Sequence, residues 1–137
     1  NYGGAINQNL INLESIINTT KRKMDAGASF FLTQPVFSKE EADRLRKIKE
    51  ETGACIFAGI MPLISRRNAL FMKNEIAGIN VTDEIVNRYP ENGSKEDGEK
   101  VAVELAKEII SYIDDFADGY YFSFPFNRVY LLNRILG

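Results

Sequence analysis

The feature that most constrains this chain is an alternation. Short apolar runs, cut off by glycine or proline, are each followed by a longer stretch whose apolar residues recur at three- and four-residue steps. Ser29–Thr33, Ala54–Ile60 and Tyr120–Phe124 are the runs, and the Gly-rich Tyr2–Ile6 reads as the tail of another strand. Runs without polar alternation belong to strands covered on both faces, as in parallel sheets.

Between the runs the helix signals are specific. Asn12 is placed to cap a helix carrying Leu13, Ile16, Ile17, Thr20 and Met24, which Gly27 ends. Ser38-Lys39-Glu40-Glu41 has the form of a capping box ahead of Ala42, Leu45 and Ile48, closed by Gly53. Ser65 opens a third helix to Asn74, and Thr82–Tyr89 a short fourth. Ser94 opens a long one with Val101, Leu105, Ile109, Tyr112, Ile113 and Phe116 inside, and a terminal helix begins near Asn127. The expected order is β-α-β-α-β-α-α-α-β-α, which means right-handed βαβ units and a parallel sheet. A doubly wound dinucleotide fold would show Gly-x-Gly-x-x-Gly after a strand, and neither that nor a P-loop is present. The expected fold is therefore α/β, a parallel (β/α)8 TIM-type barrel of which residues 1–137 supply roughly the last four strands, without an internal domain boundary. A half-barrel leaves strand edges open, so the upstream rest of the barrel is an expected partner, and a homo-oligomer is compatible with the same edges.

Bulk properties narrow the function. The net charge is −2, so neither nucleic acid nor an anionic membrane is an expected partner. No apolar run approaches the ~18 residues of a membrane span, and the first residues lack the pattern of a signal peptide. The single cysteine, Cys55, reads as a small hydrophobe in a buried strand, which fits a reduced, cytoplasmic setting. With no histidine, His-based catalysis and His-ligated metal are excluded from these residues.

In parallel β/α proteins, sites form where strands end. Gln34-Pro35 follows one run, Met61-Pro62 and then Ser65-Arg66-Arg67-Asn68 another, and Pro125-Phe126-Asn127-Arg128 the last. Phe37, Phe71, Phe124 and Phe126 accompany them. This inventory holds no nucleophile–base pair and no metal cluster. Primary amides suit the edge of a heterocycle, arginines suit anions, and aromatic rings suit flat faces. Redox or group-transfer chemistry would then come from a bound cofactor. Glu40, Glu41, Glu84, Glu96 and Glu99 read as helix-start and surface charges, so no catalytic residue is assigned. Lys21-Arg22-Lys23 alone reads as a solvated helix face.

Lys21-Arg22-Lys23-Met24-Asp25-Ala26-Gly27-Ala28 followed by Phe31-Leu32-Thr33-Gln34 resembles the K-x-K-x-D-A-G-A…F-x-x-T-Q signature of the methylenetetrahydrofolate reductase family. Gly59-Ile60-Met61-Pro62 resembles its P-G-I-M-P turn, with Ala58 replacing the first proline, and Phe126-Asn127-Arg128 its closing L-N-R. The resemblance covers the back half of the family's barrel. It implies FAD-dependent reduction of 5,10-methylenetetrahydrofolate to 5-methyltetrahydrofolate, with NADH or NADPH as reductant, in one-carbon and methionine metabolism. It implies that Gln34, Asn68 and Arg128 bind the folate substrate, and that Asn7, Thr19, Arg22 and Lys23 bind FAD. Among the phenylalanines, which otherwise read as core, Phe71 is the one taken as a ring-stacking substrate contact. The family's catalytic glutamate and flavin-tuning aspartate lie nearer the start of its barrel, so the resemblance implies that these residues alone are inactive. Thr-Gln-Pro-Val-Phe-Ser and Phe-Pro-Phe-Asn-Arg resemble the reductase half of bacterial bifunctional proteins that carry a homocysteine S-methyltransferase domain. Two other readings stand beside this one. A different β/α barrel enzyme would hold a phosphorylated metabolite through Arg66 and Arg67, and a non-catalytic half-barrel would assemble with another chain.

Overall fold

The computed structural model describes residues 2–124 and 128–137. Its elements follow the expected order: β1 (Tyr2–Ile6), α1 (Leu13–Asp25), β2 (Ala28–Pro35), α2 (Lys39–Thr52), β3 (Ile56–Ile60), α3 (Arg66–Glu75), α4 (Asp83–Asn87), α5 (Lys95–Ile113), β4 (Gly119–Phe122) and α6 (Leu131–Leu136). The strands form one four-stranded sheet in the order β1-β2-β3-β4. All three pairings are parallel. A doubly wound sheet reverses its strand order partway. Here the order never turns back, so right-handed crossovers place the helices on one face. That is the winding of a barrel wall, and the sheet is consistent with part of a TIM-type barrel.

The polar residues read as caps do cap. Asn12 Oδ1 accepts from Ser15 N–H at 3.0 Å, Ser38 Oγ from Glu41 N–H at 3.1 Å, and Ser65 Oγ from Asn68 N–H at 3.0 Å. Ser94 with Asp97 forms a reciprocal box at the start of α5, and Thr82, expected as the first residue of the fourth helix, stands one position before it as its cap. Each satisfies a backbone donor that helix geometry orphans.

The helix-facing residues of the sheet, Phe31, Ile56, Ala58 and Ile60, are buried with Ile16, Leu45, Ile48, Ile109 and Ile113 in one core. Tyr89 joins it at 1% exposure, its hydroxyl donating to Leu63 O at 2.7 Å. Burial pushes that phenol well above its ordinary pKa. Gly98 is required by a close approach, since a Cβ there would run into the Ile64 carbonyl. The other sheet face carries Phe30 and Phe57, edge to face at 6.0 Å, and Leu32, which is 41% exposed. Among the described residues no helix is long and apolar enough to cross a membrane.

Several expectations are corrected. The second strand does not stop at Thr33 but continues through Gln34 to Pro35, because Pro35 pairs with Gly59 across an irregular stretch after Leu32. Proline lacks a donor but still presents its carbonyl, which permits it at a strand end. The third strand starts at Ile56 rather than Ala54. Cys55 is only half-buried, although its carbonyl accepts from Phe31 N–H at 2.8 Å. The fourth strand ends at Phe122, where Ser123 N–H makes a further bond to Ile60 O at 3.0 Å. The last helix begins at Leu131, not near Asn127, which with Pro125 and Phe126 lies outside the described residues. Glu41 and Glu99 are not surface charges: they are 2% and 5% exposed. The expected capping box at Ser38 forms only its serine half, because Glu41 turns inward.

Candidate functional site

The rim at the C-terminal ends of β1 and β2 is built from amides. Past Ile6 the chain enters Asn7-Gln8-Asn9, and Asn7 Oδ1 accepts from Asn9 N–H at 3.0 Å, a tight polar turn. Asn9 Nδ2 donates to Gly78 O at 3.1 Å, tying the α3–α4 loop to this turn. Gly78 has φ +84°, open to glycine at little cost, and a Cβ there would stand 3.7–3.9 Å from the Asn7 and Gln34 side-chain amides. Asn7, Gln34 and the Gly78 backbone are thus gathered at one place.

Beside them a cleft of about 270 Å³ runs between the end of β1 and α1, lined by Asn7, Thr19, Lys23 and Gln34 with Ile6 and Ile16. Lys23 Nζ donates to Ala5 O at 3.1 Å, which holds the cation at the cleft wall. Arg22 lies on the exposed side of α1, donating to Thr19 Oγ1 at 3.1 Å. Four of the eight residues expected to bind ligand therefore share one cleft, and Arg22 adjoins it through Thr19. A second, open polar hollow of about 590 Å³ lies on the other side of the same turn, lined by Asn7, Gln8, Asn9, Glu41 and Arg44.

The other expected residues lie apart from that cleft. Asn68 Oδ1 accepts from Ile64 N–H at 3.1 Å, so its NH2 is the group it offers to a hollow of about 120 Å³ lined by Met61, Met72, Ser123 and Phe124. Phe71 is 54% exposed, free to present its ring. Arg128 is committed elsewhere: it pairs with Glu99 at 2.8 Å, and Arg134 and the Tyr130 hydroxyl reach the same carboxylate. Burial raises the Glu99 pKa, but the Tyr130 hydrogen bond and the Arg128 and Lys95 charges outweigh it and hold the carboxyl below its ordinary value. Arg66 is also engaged, donating to Tyr89 O and Asn87 Oδ1 at 3.3 Å and lying 3.9 Å from Glu91. The hollow beside it measures about 20 Å³, so Arg66 does not form a phosphate pocket.

Two residues of this rim escaped the sequence reading. Gln8 is fully buried and Glu41 nearly so, and Gln8 Nε2 donates to Glu41 Oε2 at 2.9 Å. The usable signal was the position of Glu41, four residues after Phe37 on the inner side of α2 beside Ala42 and Leu45.

The donor set is chemically coherent. Thr19 and Lys23, with Arg22 adjoining, supply a hydroxyl and cations of the kind that suit an anionic group. The amides of Asn7 and Gln34 supply paired donors and acceptors for a ring edge. Chemically, these residues suit a cofactor that carries both an anionic group and a flat heterocycle. Comparison with curated proteins finds no match. The family model described as methylenetetrahydrofolate reductase matches residues 5–120, which is most of the chain and runs from the end of β1 into β4. The chain belongs to the methylenetetrahydrofolate reductase family.

Proposed function

We propose that this chain supplies the folate- and flavin-gripping half of a reductase barrel that converts 5,10-methylenetetrahydrofolate to 5-methyltetrahydrofolate. The observation that carries this reading is the single cleft lined by Gln34 on one side and Thr19 and Lys23 on the other. Bound FAD would supply the hydride relay from NADH or NADPH to the folate. The Lys23 ammonium and Thr19 hydroxyl hold the cofactor's phosphates, and the Asn7 amide adds a neutral donor. Gln34 offers its carbonyl and NH2 to the pterin edge, fixing which face of the ring is presented. Asn68 and Phe71 extend the substrate surface along the rim. Arg128 serves this reading only indirectly, because its guanidinium already neutralises Glu99.

The acid–base residues that protonate the folate belong to the other half of the barrel, and the isolated chain is expected to be inactive. The Thr33-Gln34-Pro35-Val36-Phe37-Ser38 and Phe124-Pro125-Phe126-Asn127-Arg128 variants support a place among bifunctional proteins with a homocysteine S-methyltransferase half, acting in the cytoplasm.

The test is purification of the full-length protein and titration with NADH. A yellow protein bleached by NADH and reoxidised by the methylene-folate supports the reading. Gln34→Ala should then weaken folate binding about thirtyfold, the worth of roughly two hydrogen bonds, while leaving flavin content unchanged. A colourless protein stabilised by sugar phosphates would overturn it.

A further inference from the structure

The backbone of Gln34 sits where β2 leaves its regular ladder, between Leu32 and Pro35. The Thr33 hydroxyl donates to the Gln34 C=O at 2.8 Å, and the Gln34 N–H and the second lone pair of that carbonyl are left for partners from outside the sheet. One side chain meets both. Gln34 N–H donates to Gln8 Oε1 at 3.1 Å, and Gln8 Nε2 donates to Gln34 O at 2.9 Å. Gln8 thus grips the Gln34 main chain as a paired strand would.

The grip has a defined orientation. An amide side chain can be turned end for end, and only one orientation satisfies the Gln34 backbone. Glu41 selects it. Its Oε1 accepts from Phe37 N–H at 3.1 Å and from the Ser38 hydroxyl at 3.4 Å, which leaves Oε2 to accept from Gln8 Nε2 at 2.9 Å. A flipped Gln8 would set oxygen against oxygen. Arg44 adds a bond from Nε to Gln8 O at 2.7 Å, so the main chain of the clamp is held as well. Gln8 is 0% and Glu41 2% exposed, so no water competes for these bonds.

We infer that Gln8 and Glu41 are positioning residues for Gln34: they lock the two peptide units that flank its Cα so that its side-chain amide is aimed into the cleft. The inference rests on the proposed role of Gln34 in holding the folate ring. On this reading neither residue touches the ligand, because neither lines the cleft. Their effect is to remove the freedom of the one group that does, and a misplacement of about an ångström in such a group costs up to about a hundredfold.

The test uses the full-length, FAD-loaded protein and equilibrium dialysis of 5-methyltetrahydrofolate, with flavin content and thermal midpoint measured alongside. Gln8→Met keeps the length and apolar bulk but cannot grip the backbone. Glu41→Gln keeps the shape, but with its oxygen held by Phe37 N–H its NH2 faces Gln8 Nε2. Gln8→Met should weaken binding about tenfold and Glu41→Gln about threefold. In a Gln34→Ala background both losses should vanish, because there is no amide left to aim. Equal losses in the two backgrounds would show a merely structural role and overturn the inference. So would unchanged affinity in both single variants while Gln34→Ala alone binds weakly. If Gln34→Ala itself binds normally, the reading of the cleft fails first and the positioning role falls with it. Should Gln8→Met fail to fold, Glu41→Gln carries the same comparison.

Discussion

Glu41 and Glu99 are both buried near helix starts, and they are held in opposite ways. Glu41, at the β1–β2 rim, is surrounded by neutral donors. Burial raises its pKa, and the bonds from Gln8, Phe37 N–H and Ser38 only partly offset that. Glu99, under α6, faces Arg128, Arg134 and Tyr130 and titrates below its ordinary value. One carboxyl orders a neutral amide network beside the cleft. The other is an ionic staple that ties the C-terminal helix to α5. A buried acid is therefore no guide to function until its partners are known.

The largest test of this contrast is Gly98→Ala. A Cβ there meets the Ile64 carbonyl, so the start of α5 must shift and carry Glu99 away from Arg128. A loss of about 3 kcal/mol is expected in denaturant unfolding, with the Gln8–Glu41 unit intact by hydrogen exchange at Gln34. Early exchange at Gln34 would show that the two regions are coupled.

Next in size is Arg128→Ala. It leaves Glu99 with Tyr130 and the longer 3.7 Å contact to Arg134, so the cost should be about 2 kcal/mol, less than for a fully stripped buried charge. Thermal unfolding at neutral pH measures it. An equal loss of folate binding would return Arg128 to the substrate site.

The two carboxyls should also answer to pH with opposite signs. The folded pKa of Glu99 lies below 4.5, so its contribution is fully present above pH 4.5 and is lost as pH falls through the folded value. The folded pKa of Glu41 lies above 4.5, so its contribution is present below pH 4.5 and is lost as pH rises through that higher value. Wild type should thus lose its advantage over Glu99→Gln in acid, and should fall relative to Glu41→Gln as pH climbs toward neutrality. Parallel trends in the two unfolding series would break the contrast.

Smallest is Asn9→Ala, which removes the 3.1 Å bond to Gly78 O and should cost about 1 kcal/mol. Faster proteolysis within the α3–α4 loop would report it.

Much of this molecule was legible beforehand. The βα alternation, the caps at Asn12, Ser38, Ser65 and Ser94, and the parallel sheet follow from local chemistry: apolar periodicity, small polar residues ahead of it, glycine and proline after it. Gln34 was legible as a strand-end amide, whereas Asn7, Thr19 and Lys23 were implied only by the family resemblance, because Lys21-Arg22-Lys23 alone reads as a solvated helix face; the fold brings all four to one cleft. The pairing of Arg128 was not legible, because its partner Glu99 lies 29 residues away along the chain. Gln8 and Glu41 were hidden for the same reason. Polar residues near helix starts look alike in sequence, whether they meet water, an arginine or an amide.

The sequence by itself determined the alternating architecture and the residues presented at each strand end, since both depend on neighbours within a few positions. Only the tertiary structure decided which polar groups are buried and whom they meet. Gln8 and Glu41 are 33 residues apart, and their 2.9 Å bond exists only because β1, β2 and α2 close around the Gln34 peptide. Burial then makes that bond consequential, because a polar group removed from water must find its partner within the fold.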